Sequence, residues 1–75
     1  MITPTGKLNI QHMLPGERET IGGPAVGENI RYEVNRYESE FVVKVFDRLV
    51  LLDTESCSTA DEVIEYIERS NHWSY

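Results

Sequence analysis

The sequence predicts an α+β fold: a small antiparallel sheet of three to four strands with one C-terminal helix packed on one face. Three observations predict it. Apolar and polar side chains alternate through Ile30–Tyr37, the period of a strand, and Phe41–Phe46 is a β-branched and aromatic run. From Ser58 onward the apolar residues recur at helical spacing. All five glycines and all three prolines precede residue 28, so after that point nothing interrupts regular structure.

Residues 1–28 read as a Gly/Pro-rich N-terminal segment. Within it, Leu8–Met13 is expected to add an edge strand that Pro15 ends, because proline cannot donate to a ladder. Residues 29–75 read as β-β-β-α. In Ile30–Tyr37, Ile30, Tyr32 and Val34 share one face, while Arg31, Glu33 and Asn35 share the other. Tyr37–Glu40 is a polar turn. Phe41–Phe46 is rich in β-branched and aromatic residues, with Phe41, Val43 and Val45 facing one way. Asp47-Arg48 makes a tight turn into a third strand, Leu49–Leu52. Short connections force neighbouring strands to run oppositely, so these three form a meander. Ser58 or Thr59 caps the helix, and Thr59-x-x-Glu62 has the spacing of a capping box. Ala60, Val63, Ile64 and Ile67 then fall at i, i+3, i+4 and i+7. Asp61 and Glu62 in the first turn and Arg69 in the last suit the helix dipole. This helix, about residues 60–70, is expected to cross one sheet face. Val42, Phe46, Val50 and Leu52 are left for the other face. The N-terminal segment, with Leu8, Ile10, Met13 and Ile21, is expected to fold back over them; any apolar patch left open would mark an interface.

Seventy-five residues make one domain, 1–75, near the lower limit for an unaided core. A hydrophobic content of 40% marks a globular chain. No apolar run approaches the ~20 residues that cross a bilayer, and Met1–Thr5 lacks the start of a signal peptide. Cys57 is the only cysteine, so no internal disulfide can form, and a cytoplasmic location is expected. Cys57, His12 and His72 lack metal-ligand spacing, and "IGGPAVGEN" lacks both GxGxxG and a phosphate-loop lysine. Cys57, next to a helix cap, is expected to pack rather than to act as a nucleophile. The tail residues His72, Trp73 and Tyr75 are expected to dock on the protein's own sheet or to anchor a partner. No cofactor and no enzymatic activity are expected.

The net charge is −6. Residues 1–27 are balanced, Glu17 and Glu19 against Lys7 and Arg18. Residues 28–75 carry eleven acids against five bases. Such a field repels nucleic-acid phosphates and attracts basic protein surfaces, although acidic surfaces also serve solubility.

The segment "TGKLNIQHMLPGERETIGGP" resembles the phage uracil-DNA glycosylase inhibitor family. The resemblance rests on Thr5, Gly6, Lys7, Leu8, Ile10, Gln11, Met13, Leu14, Pro15, Glu17, Glu19, Ile21, Gly22 and Pro24, and continues at Ile30, Tyr37, Glu38 and Ser39. It covers about residues 5–40 and needs gaps. Between Gln11 and Met13 stands only His12, where the family has Glu-Ser-Ile-Leu. The resemblance implies a small acidic DNA mimic that inserts its first strand into the enzyme's DNA groove and captures a protruding apolar side chain. It would place Gln11 on the inserted strand, with Met13 and Ile21 lining the pocket. Ile10, Gln11, Met13 and Ile21, with Glu38 and Glu40 on the turn, are therefore the candidate partner-binding residues. The expected function is a non-catalytic, protein-binding inhibitor acting on a DNA-processing enzyme such as uracil-DNA glycosylase. The alternative is a small regulatory or assembly module that binds or dimerises through its sheet. In neither case does it bind nucleic acid or membrane directly.

Arg31, Arg36, Lys44, Arg48 and Arg69 are dispersed along the chain after residue 28. The protein should therefore show no duplex-DNA binding at physiological salt. A gel shift at micromolar protein that weakened with added salt would contradict this.

Overall fold

The alternation after residue 29 becomes two paired central strands in the computed structural model, which describes residues 2–23 and 27–69. β2 (Ile30–Arg36) and β3 (Phe41–Asp47) run antiparallel, with Tyr32 opposite Val45 and Val34 opposite Val43. The shared parity buries Ile30, Tyr32, Val34, Phe41, Val43 and Val45 on one face. The loop between them closes with the Tyr37 N–H donating to the Glu40 carbonyl at 2.8 Å. β1 (Arg18–Gly22) pairs with β2 and β4 (Val50–Cys57) pairs with β3, giving the meander order β1-β2-β3-β4. Arg48, in the β3–β4 turn, has φ 59°, a left-handed conformation that a non-glycine residue adopts only under strain.

The C-terminal helix, here α2 (Ala60–Arg69), forms as its pattern requires. The Glu62 N–H donates to Thr59 Oγ1 at 3.2 Å, and the Ser58 N–H donates to Glu62 Oε2 at 3.4 Å. The first contact satisfies an amide that the first turn of a helix leaves without a partner, and the second ties the residue before the cap back to that turn. Val63, Ile64 and Ile67 are buried against the sheet, with Ala60 packed beside them.

The N-terminal segment differs from expectation. Leu8–Met13 is not an edge strand. Pro4–Gln11 is a helix, α1, with Thr3 as its N-cap: Thr3 Oγ1 accepts from the Gly6 N–H at 3.0 Å, and proline opens the first turn. Proline suits that position because its missing N–H would have no helical partner there. Gly6 lets α1 approach the sheet closely, since a Cβ there would lie 3.1 Å from Ile21 Cδ1. The edge strand of the first 28 residues is instead β1, reached through a turn at Gly16 (φ 93°), whose N–H donates to the Arg36 carbonyl at 2.8 Å.

α1 also lies on the face that α2 covers, not on the second face. Ile2, Ile10, Met13 and Ile21 join the same core cluster as Val63 and Ile67, and Lys7 Nζ pairs with Glu68 at 3.3 Å across the two helices. The second face is dressed by its own polar side chains. The Arg31 guanidinium stacks 4.4 Å from the Phe46 ring centroid and pairs with Glu33 at 3.3 Å. Phe46 is thereby half-buried without a covering element, and Val42, opposite Asn35, is half-buried too. Val50 and Leu52 stay exposed, Val50 opposite Asp47 and Leu52 at a bulge in the β3–β4 ladder. The third strand also runs on to Cys57, well past Leu52. The tail residues His72, Trp73 and Tyr75 lie outside the described residues.

Ile10, fully buried in α1, belongs to the core rather than to a partner's pocket. Ile10→Ala should cost about 2–4 kcal/mol in urea unfolding, whereas Leu8→Ala, two residues away and exposed, should be nearly neutral. Similar midpoints for the two variants would contradict the packing of α1.

Candidate functional site

The residues singled out from sequence do not form one surface. Ile10, Met13 and Ile21 are core side chains. Gln11 is exposed at the end of α1, and Glu38 and Glu40 are exposed in the β2–β3 loop. A strand carrying Ile10 and Gln11 into another protein is therefore not presented at the surface.

The structure gathers a different set. Residues 53–69 contain Asp53, Glu55, Asp61, Glu62, Glu65 and Glu68 against Arg69 alone, a net charge of −5 on β4 from Asp53 onward and on α2. Glu68 faces α1 and pairs with Lys7, while Glu55, Glu62 and Glu65 line the space between β4 and α2 and make that side acidic. Along β4, Cys57, Glu55 and Asp53 stand opposite Phe41, Val43 and Val45 and share their parity, so they turn toward the helix-bearing side. Cys57 is buried; Asp53 and Glu55 remain exposed at the margin of α2.

Between β4 and α2 runs an open groove of about 250 Å³, lined by Glu55, Ser56 and Cys57 on one element and by Glu62, Glu65, Tyr66 and Arg69 on the other. Asp53 braces its end. The Tyr66 hydroxyl donates to Asp53 Oδ2 at 2.9 Å, and the Thr54 N–H donates to Asp53 Oδ1, also at 2.9 Å. Arg69 is held by Glu65 at 2.9 Å one helical turn away, a pair too exposed to add much stability. At the other end of β4, Leu49, Val50, Leu51 and Leu52 form an exposed apolar run, with Leu49 at 93% exposure.

This arrangement offers charge and a backbone edge rather than reactive groups. Partial burial pushes the Cys57 thiol above its ordinary value of 9.0, with Glu55 and Glu62 adding to the effect, so the sulfur stays a neutral thiol at neutral pH. Burial, the hydrogen bond to Asp53 and nearby negative charge raise Tyr66 as well, which keeps it a hydrogen-bond donor. Among the described residues no group of three or more His, Cys, Asp or Glu could hold a metal ion, and no helix is long and apolar enough to cross a membrane.

Sequence reasoning missed Asp53, Glu55, Glu62, Glu65 and Tyr66 as a set. The available signal was the local excess of six acids over one base between residues 53 and 69. No family model, no curated protein and no solved structure matches the chain.

The raised ionisations of Cys57 and Tyr66 predict an alkaline limit to stability. A group whose pKa is raised by folding contributes fully below its unfolded value and loses that contribution as pH climbs through its folded value. The window therefore opens above the ordinary values of 9.0 for Cys57 and 10.0 for Tyr66. Urea midpoints should be insensitive to these two groups near neutrality and should fall above pH ~9, less steeply in a Cys57→Ala/Tyr66→Phe variant. An identical alkaline slope in that variant would show that neither group is responsible.

Proposed function

We propose that the protein is a non-catalytic, protein-binding inhibitor that presents its acidic β4–α2 side to the basic groove of a DNA-processing enzyme, as a DNA mimic does. One observation carries this reading: Glu55, Glu62 and Glu65 line the groove between a strand edge and the helix beside it, Asp53 stands at its end, and Arg69 is the one base in that lining. Spacing supports it. Asp53 and Glu55 share a side of β4 two residues apart, about 6.8 Å along a strand, which is twice the ~3.4 Å axial interval between phosphates on one DNA strand. Charge complementarity of this kind speeds encounter and selects partners more than it deepens affinity. The resemblance over residues 5–40 makes uracil-DNA glycosylase the first enzyme to assay. A second reading, self-association through the sheet, draws on the exposed Leu49–Leu52 run, and a dimer in sedimentation would favour it.

Excess protein should inhibit the target enzyme, with inhibition weakening as salt rises. A variant carrying Asp53→Asn, Glu55→Gln, Glu62→Gln and Glu65→Gln should lose that inhibition while keeping its circular dichroism. Full uracil excision with excess wild-type protein would remove this enzyme as the target. Affinity capture with both baits then extends the test, because a DNA-binding protein retained by wild type and lost by the neutralised variant supports the reading. Identical captured sets would overturn it.

A further inference from the structure

The two edges of the sheet are not equivalent. β1 has five residues and β4 has eight; neither contains lysine or proline, residues that commonly guard an edge, so β4 is the longer unguarded edge. The hydrogen-bond phase of β4 follows from the loop before β3. The Tyr37-to-Glu40 bond makes Asn35/Val42 and Glu33/Lys44 the bonded pairs between β2 and β3, since bonded and non-bonded pairs alternate in an antiparallel ladder. Phe41, Val43 and Val45 then bond outward to Cys57, Glu55 and Asp53. The backbone groups of Thr54 and Ser56 are left facing away from the sheet. The Thr54 amide agrees with this phase, because it donates to the neighbouring Asp53 carboxylate.

We infer that β4 between Asp53 and Cys57 receives an extended basic segment of a partner protein as a fifth strand. The inference rests on the reading of a basic partner and adds the way in which it docks. The partner's backbone pairs with the outward groups of Thr54 and Ser56. Its alternate side chains, lysine or arginine, stand over Asp53 and Glu55 and reach the groove lined by Glu62 and Glu65. Directly opposed side chains on paired strands lie ~4.5–5.5 Å apart at Cβ, near enough for each carboxylate to meet one cation. The bulge at Leu51 and Leu52 ends the straight part of the edge, so pairing begins at Asp53.

Charge also argues against a second copy as the occupant. A twofold antiparallel pairing that sets Thr54 against its own copy puts Asp53 opposite Glu55. A register that sets Thr54 against Ser56 puts Glu55 opposite itself. Both oppose like charges, which is destabilising on a sheet.

Three synthetic peptides test the inference on the intact protein: one alternating valine and lysine, one of the same composition with the lysines in a block, and the alternating peptide N-methylated at every second amide. The first should bind, slowing hydrogen exchange at Thr54 and Ser56 and shifting the amide resonances of Asp53–Cys57. Affinity should fall about tenfold or more for the other two peptides, and by a similar factor for an Asp53→Asn/Glu55→Gln variant with an unchanged melting temperature. Equal binding of all three peptides would mean attraction by charge alone. That result overturns strand addition and leaves the basic-partner reading standing, since the capture comparison tests that reading separately. Failure of the alternating peptide to bind, or exchange slowed only outside β4, also overturns strand addition.

Discussion

Alternation along β2 and β3 commits Ile30, Tyr32, Val34, Phe41, Val43 and Val45 to one side of the sheet, and both helices must lie there. The apolar residues left outside that core, Leu8, Leu14 and Leu49–Leu52 among them, build no second layer over the sheet among the described residues. α1 and α2 therefore share a single core, joined through Ile10, Val63 and Ile67, each fully buried. The opposite face has to be made tolerable to water by its own side chains. Arg31 does so, its stem and guanidinium lying over Phe46 while Glu33 balances the charge.

How much of this was legible depended on how many core residues each element contributes. α2 supplies Val63, Ile64 and Ile67 in one stripe, and β2 and β3 each supply three buried side chains, so their periods stood out. α1 buries only Gly6 and Ile10, and β1 buries only Ile21. A single apolar residue has no period. The start of α1 did carry a local signal, Thr3 followed by Pro4, but a helix with so little apolar surface is held by tertiary packing more than by propensity. β4 beyond Leu52 was hidden for a related reason. Asp53, Thr54, Glu55 and Ser56 are exposed whichever side they face, so pairing with β3, rather than any hydrophobic pattern, makes them a strand.

The same logic separates the site from the residues first singled out. A resemblance read along the chain favoured Ile10, Met13 and Ile21, which are apolar and closely spaced. In a protein this small, such residues are needed for the core. What remains for the proposed recognition is what the core does not use, namely an acidic helix face, a strand edge and the apolar run at Leu49–Leu52. The fold brings the first two together because α2 follows β4 after only two residues, Ser58 and Thr59, and must turn back along it.

Charge and edge are coupled through one carboxylate. Asp53 accepts from the outward Thr54 amide with one oxygen and from the Tyr66 hydroxyl with the other. On the opposite edge, Glu19 Oε1 accepts from the Thr20 amide at 3.1 Å in the same manner. Each acid closes a donor that would otherwise invite strand pairing, and its negative charge repels the same edge of another copy. For β4 this closure is selective. A neutral or acidic strand must compete with the carboxylate for the Thr54 amide and gains nothing in return. A strand bearing lysine or arginine offers the carboxylate a new partner as it takes the amide, so discrimination against the wrong strands is built into the group that attracts the right one.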